Sequence, residues 1–205
     1  MNLNELNTTE LIQAYSGIIK QLKKRGVIRT KNLLGDLGKY LAIEHFNNTS
    51  GMSNLQAAPA ETQNIDAISR NGDRYSVKST TGNLTGVFYG LEPPNSEISD
   101  KQKFEFVLIV KFDNDYQLEK IIQLDWKLFL KHKRWHKTMS AWKISITKAL
   151  IEEAEGLFEK DSEKAYDISE IRKTHKKAYE PWTEESDEKL ELLFCEGKNI
   201  KEMSE

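Results

Sequence analysis

Residues 64–78 read NIDAISRNGDRYSVK, and this stretch decides the expected fold. Alternating apolar and polar residues flank the polar turn Asn71-Gly72-Asp73, a pattern that predicts two strands joined as a tight hairpin. The first strand carries a carboxylate, Asp66, and the second carries an amine, Lys78. The hairpin therefore predicts a site in which one acid and one base lie on neighbouring strands.

This pairing suits metal-dependent phosphodiester chemistry, in which a carboxylate holds a divalent cation and a lysine stabilises the attacking or developing negative oxygen. The stretch resembles the catalytic hairpin of the PD-(D/E)xK nuclease superfamily, where an Asp on one strand faces a (D/E)xK tripeptide on the next. Asp66 takes the first place and Lys78 the last, but Ser76 stands where the second carboxylate is expected. Because serine carries no charge to offset a metal ion, retained and lost cleavage stay open as alternatives.

The resemblance implies a restriction-endonuclease-like fold and hydrolysis of a phosphodiester by water bound to Mg²⁺ or Mn²⁺. It implies a catalytic set of Asp66, Ser76 and Lys78. It also implies metal ligation by Asp66, by the Val77 carbonyl and by one carboxylate from the preceding helix.

Two acids of that helix, Asp36 and Glu44, are candidates for the last ligand. They lie two helical turns apart, so only one of them is expected to reach Asp66. The opening Gly35-Asp36-Leu37-Gly38 resembles the glycine-acid opening of related nuclease-like domains, which favours Asp36. Such openings often carry a further acid one turn on, where this chain has Lys39.

Hydrophobic periodicity predicts an α/β core in which helices flank a mixed sheet. The predicted helices cover residues 8–25, 32–47, 125–130 and 148–158. The predicted strands cover residues 65–70, 74–80, 86–91, 104–112, 117–124 and 142–147. Residues 49–63 are predicted to form a polar loop that leads into the Asp66 strand.

Composition limits the function further. No run of 18 apolar residues exists and the N-terminus lacks a signal pattern, so a cytoplasmic protein without membrane partners is expected. One cysteine, Cys195, is insufficient for a disulfide framework or a cysteine-based zinc site. Residues 1–150 hold 21 Lys+Arg against 15 Asp+Glu, whereas residues 151–205 hold 9 against 17, so the first part is the one expected to meet phosphates.

Residues 131–143 combine five cations with two tryptophans and contain no acid. Such a segment offers phosphate contacts interleaved with rings that stack on bases, although tryptophans that anchor the segment to the core are an alternative. The predicted nucleic-acid-binding residues are Lys131, Lys133, Arg134, Trp135, Lys137 and Lys143.

The tail after residue 178 reads like the opening of a helix, with Thr183 as N-cap followed by acids. It resembles the first part of Myb-like helix-turn-helix modules and ends before a recognition helix. The expected organisation is a nuclease-like domain over 1–160, a charged connector over 161–178 and a partial helix-turn-helix segment over 179–205.

Together these patterns predict a DNA-processing endonuclease, for example a restriction endonuclease. A catalytically inactive relative that only binds DNA is the main alternative, and a protein-interaction subunit is a third. DNA against RNA, the target sequence and a homodimer all stay open at this level.

Overall fold

The computed structural model describes residues 2–59, 62–160, 183–196 and 198. The α-helices are α1 (Thr8–Lys24), α2 (Leu33–Asn48), α3 (Trp126–His132), α4 (Lys148–Glu153) and α5 (Glu184–Cys195). The strands are β1 (Leu55–Ala57), β2 (Ala67–Ser69), β3 (Arg74–Thr80), β4 (Phe106–Phe112), β5 (Leu118–Asp125), β6 (Lys133–His136), β7 (Ala141–Ile144) and β8 (Glu155–Glu159). The chain divides into two compact units, Met1–Lys160 and Asp161–Glu205.

Six strands of the first unit form one mixed sheet in the order β1-β2-β3-β4-β5-β8. The β3–β4 pair is parallel, and the other neighbouring pairs are antiparallel. Strands β6 and β7 form a separate two-stranded hairpin. The predicted α/β class, with helices flanking a mixed sheet, is confirmed.

The predicted hairpin at residues 64–78 is also confirmed. Strand β2 pairs antiparallel with β3, with Ala67 opposite Tyr75. Gly72 in the turn has a φ of 90°, a conformation that glycine adopts without steric cost. The Ser69 hydroxyl accepts from the Asn71 and Asp73 amides, and its own proton goes to the Asp73 carboxylate. These contacts fix the register that places Asp66 beside β3.

The two faces of the sheet carry different hydrophobic clusters. On one face, α2 contributes Ala42 and Phe46, which pack with Tyr75 and Val77 of β3. On the other face, the cluster includes Phe129 of α3 and Leu150 of α4. The same cluster contains Phe88, Phe104 and two residues of β4, Val107 and Ile109. Strand β4 is buried on both faces, as its continuous apolar run predicts.

Three predictions about elements need correction. Residues 49–63 contain β1, whose pairing with β2 extends the sheet where a loop is expected. The helix predicted over 148–158 ends at Glu153, because the chain then pairs with β5 as β8. Residues 86–91 form no strand of the main sheet and meet β7 only through an isolated bridge, Phe88 to Trp142.

Helix α1 has the predicted amphipathic sequence and a capping box between Asn7 and Glu10. None of its residues is fully buried, and Ile12 and Tyr15 are largely exposed. None of the described helices has the length and apolar character needed to span a bilayer.

In the second unit, the described residues form α5 and its immediate flanks. Thr183 is its N-cap and accepts from the Ser186 amide, as the sequence predicts. Cys195 is an exposed free thiol. The predicted connector at 161–178 lies outside the described residues, as do residues 179–182, 197 and 199–205 of the predicted helix-turn-helix segment.

Candidate functional site

Asp66 is held at the start of the β2–β3 hairpin by backbone and side-chain contacts. Its amide donates to the Tyr75 carbonyl at 2.7 Å, and its Oδ2 accepts from the Val77 amide at 2.7 Å. Its carbonyl accepts from the Ala58 amide at 2.9 Å, which ties the residue to the β1 side as well. The hairpin thus fixes the carboxylate next to the residue that precedes Lys78.

Lys39 of α2 supplies the second partner of this carboxylate. Its Nζ lies 2.8 Å from Asp66 Oδ1, and the two side chains are 25% and 15% exposed. The helix can approach β3 this closely because Gly38 packs on Ser79: a Cβ at Gly38 would lie 1.9 Å from Ser79 Oγ. Both oxygens of Asp66 are therefore occupied, one by an amide and one by an ammonium group.

Lys78 lies on the opposite face of β3 from Val77, since successive strand residues alternate. Its Nζ is 4.7 Å from the centre of the Phe88 ring, within the range of a cation–π contact. Burial lowers the pKa of Lys78, the charge of Asp66 raises it, and the charge of Lys39 lowers it again. The net effect is a pKa below the ordinary value, because burial dominates.

Ser76 is fully buried, and its hydroxyl has no hydrogen-bond partner among the described residues. It lies on the same face of β3 as Lys78, two residues away. An unpaired buried hydroxyl costs free energy, so this position is not optimised for stability alone.

Asp36 has a different set of contacts from those of Asp66. It is buried at the start of α2, and its Oδ2 accepts from the Arg29 amide at 2.8 Å, the Thr30 amide at 2.6 Å and the Thr30 hydroxyl at 2.9 Å. Burial raises the pKa of Asp36, but these bonds and the charge of Lys39 outweigh it and hold the pKa below its usual range. Its described contacts hold the loop that contains Arg29 and Thr30 against the start of α2.

Glu44 is exposed on α2 and accepts a hydrogen bond from the Tyr40 hydroxyl at 3.3 Å. Asp36, Glu44 and Lys39 line a common pocket beside the helix. No described contact joins either acid to Asp66. The side chain of α2 that does reach Asp66 is a lysine.

A divalent cation would find few ligands in this arrangement. Mg²⁺ is bound through carboxylates in near-octahedral geometry, and Asp66 is the one carboxylate that the described contacts place in this centre. Among the described residues, no group of three or more His, Cys, Asp or Glu side chains is placed to hold a metal ion. Ligation by Asp66, the Val77 carbonyl and a helical acid would require Lys39 to leave its present position.

The basic segment 131–143 forms the end of α3 and the β6–β7 hairpin. Lys131 pairs with Glu153 at 2.6 Å, and Lys133 pairs with Asp100 and lies 4.1 Å from the Trp142 ring centre. The Trp135 and Trp142 rings contact each other edge to face at 5.2 Å. Three of the predicted contact residues are thus engaged within the protein.

The remaining cations of this segment have no described acidic partner. Arg134 and Lys143 lie directly opposite each other on β6 and β7, and Arg134 is exposed. Lys137 is exposed in the hairpin turn. Like charges on facing strand positions repel each other, so an anion bound between Arg134 and Lys143 would relieve an unfavourable contact.

The segment 83–89 connects this hairpin to the Asp66 centre. Phe88 exchanges backbone hydrogen bonds with Trp142 at 2.7 and 3.2 Å. The Tyr89 carbonyl accepts from the Asn64 side chain at 2.8 Å. The same short segment therefore contacts the hairpin, places the Phe88 ring near Lys78 and contacts the residue two positions before Asp66.

The sequence predicts roles for Asp66, Ser76 and Lys78 but none for Lys39 or Phe88. Gly38 is the feature of the sequence that indicates a contact by its neighbour Lys39, because a small residue at a helix surface permits close approach to a strand. Phe88 gave no signal, since its role depends on a bridge to a residue more than 50 positions away. The chain matches no protein-family model, and the comparison with curated proteins found no significant similarity.

Proposed function

We propose that this protein binds DNA through a nuclease-like centre in which two lysines, Lys39 and Lys78, contact a backbone phosphate. The observation that carries the proposal is the ion pair between Lys39 and Asp66, in a centre where the Val77 amide, next to Lys78 on β3, also donates to Asp66. Two cations and one carboxylate leave the centre with a net positive charge. Such a centre attracts a phosphate, whereas a divalent cation needs a surplus of negative oxygen ligands.

Two further features support DNA as the ligand. The part of the chain up to residue 150 carries the excess of Lys and Arg. The Arg134 and Lys143 side chains form a second cationic site on a hairpin whose partner segment also contacts the centre. Successive phosphates of one strand offer such separated cations several contacts, which strengthens binding without reading sequence.

The proposal is tested by fluorescence anisotropy of a short labelled duplex over a series of salt concentrations. Lys78→Met should weaken binding about tenfold and reduce the slope of log K against log salt by about one. Lys39→Gln should weaken it further, because it removes a cation and also exposes the charge of Asp66. Lys127→Met is the control, because Lys127 lies in a pocket lined by Asp125, Glu153 and Glu155. Equal binding by all four proteins would contradict the proposal.

Metal-dependent cleavage is the second candidate. It is favoured by the placement of Asp66 directly before β2 and of Lys78 on the adjacent strand β3, with the Val77 amide donating to Asp66. Nicking of supercoiled plasmid with Mg²⁺ or Mn²⁺ tests it, with Asp66→Ala, Lys78→Ala and EDTA as controls. Nicking that both substitutions abolish would establish a nuclease, in which case a divalent cation must displace Lys39 from Asp66.

A further inference from the structure

A pocket of about 340 Å³ lies between α2, the loop that precedes it and Ala57 of β1. Its size is at the lower end of the range for small-molecule sites. It shares Lys39 with the Asp66 centre, so a group bound in the pocket would be next to a phosphate bound at that centre. We refer to it as the Tyr40 pocket.

Two cations, Arg29 and Lys39, line the Tyr40 pocket. No ion pair of Arg29 occurs among the described residues. Asp36 also lines the pocket, but its Oδ2 already accepts three hydrogen bonds from the loop. Asp36 is therefore not free to bind the Arg29 side chain through that oxygen.

Tyr40 and Glu44 complete the pocket one helical turn apart on α2. Tyr40 is 41% exposed, so its side chain is accessible to a ligand. Its hydroxyl donates to Glu44 Oε1, which leaves Oε2 of that carboxylate to accept from a ligand. Cations, an aromatic face and a carboxylate acceptor match the phosphate, the ring and the amino group of an aminated nucleotide.

We propose that the Tyr40 pocket binds a single nucleotide, with its phosphate at Arg29 and Lys39, its base against Tyr40 and its amino group at Glu44. This inference rests on the proposed function, because it takes Lys39 to be a phosphate contact. The nucleotide is either free or an unpaired nucleotide of a DNA strand. Extracting an unpaired nucleotide from a duplex costs less free energy than extracting a paired one, because no base pair has to be broken.

Calorimetric titration of the full chain with dAMP tests the free form. Arg29→Met and Tyr40→Ala should each weaken dAMP binding about tenfold, through loss of a charge-assisted bond and of stacking respectively. Tyr40→Phe keeps the ring and should retain most of the affinity. Tyr15→Ala is the matched control, since Tyr15 is an exposed tyrosine on another helix. Thermal unfolding of each variant verifies that it is folded.

Anisotropy with two labelled duplexes tests the unpaired form, one fully paired and one carrying a single unpaired adenosine. The intact chain should prefer the second duplex, and Tyr40→Ala should remove that preference while leaving binding to the paired duplex unchanged. Salt-sensitive binding to the paired duplex, with neither dAMP binding nor such a preference, would overturn the pocket inference and leave the proposed function standing. Binding of dAMP without duplex binding would overturn the proposed function and identify a mononucleotide site. Loss of all binding would overturn both.

Discussion

Lys39 Nζ lies 2.8 Å from Asp66 Oδ1, so a lysine of α2 contacts the carboxylate that the β2–β3 hairpin presents. The contact depends on Gly38, which allows the helix to approach β3. It places a fixed positive charge beside Asp66, and Lys78 adds a second nearby. The charge balance of the centre follows directly from these two lysines.

Lys39→Glu should convert this centre into one that binds a divalent cation. The substitution replaces an ion pair with two neighbouring carboxylates, which repel each other until a cation binds between them. We expect Mn²⁺ to raise the melting temperature of Lys39→Glu and to leave that of the wild type and of Lys39→Gln nearly unchanged. Thermal unfolding with and without Mn²⁺ measures this, and an equal shift in all three proteins would contradict the expectation.

Lys78 should make the protein less stable near neutral pH than at alkaline pH. Its pKa is depressed in the folded state, so its charged form costs folding free energy at any pH below that value. The cost disappears as the pH rises from the folded pKa toward the ordinary value of 10.5. Lys78→Met should therefore be more stable than the wild type near neutral pH, with a difference that shrinks as the pH rises.

Urea unfolding over a pH series measures this difference. The exposed Lys127→Met variant, compared in the same way, should show no comparable trend. If the stability of Lys78→Met relative to the wild type instead increased with pH, the pKa of Lys78 would be raised, and the charge of Asp66 would outweigh burial.

Gly38→Ala should destabilise the protein, although alanine is normally the better helix former by about 1 kcal/mol. The added Cβ would meet Ser79 Oγ at 1.9 Å and Ser79 Cβ at 2.9 Å, so the helix or the strand must shift. Overpacking of this kind costs about 1–3 kcal/mol. Chemical denaturation checks the value, and Ser79→Gly should restore part of the stability in the double variant. Gly17, which has open space around it, provides the control Gly17→Ala.

Asp36→Ala should cost about 2–4 kcal/mol, because the Arg29 and Thr30 amides and the Thr30 hydroxyl would lose a charged acceptor. Thr30→Val removes only one of these bonds and should cost about 1 kcal/mol. Since the pKa of Asp36 is lowered in the folded state, its contribution is present above the unfolded value and is lost as acid protonates the folded carboxyl. Denaturation at neutral and acidic pH should therefore show that the gap between wild type and Asp36→Ala narrows in acid.

The sequence allowed prediction of the features that depend on local patterns. The β2–β3 hairpin follows from its turn and its alternation, and β4 follows from a continuous apolar run. The beginning of α2 agrees with the prediction within one residue, because Asn32 caps it through the Gly35 amide. Each of these signals lies within a few residues of the element that it predicts.

The remaining features depend on contacts that sequence patterns do not encode. Strand β8 follows α4 without a strong break and is defined by its pairing with β5. Sequence patterns do not distinguish Lys39 from an ordinary surface lysine. It reaches Asp66 because Gly38 allows α2 to approach β3 closely. The basic segment has the composition of a phosphate-binding surface, but Lys131 and Lys133 turn out to pair with Glu153 and Asp100, which lie more than 20 positions away.

The segment around Phe88 links the β6–β7 hairpin to the surroundings of Lys78. Phe88 shares two backbone hydrogen bonds with Trp142, and its ring lies near the Lys78 ammonium group. Local unfolding of the β6–β7 hairpin would break these two hydrogen bonds and weaken the hold on the segment that places the Phe88 ring near Lys78. We therefore expect the amides of Phe88 and Trp142 to exchange their hydrogens as one cooperative unit, which would make the surroundings of Lys78 depend on a hairpin that follows it by more than 50 residues.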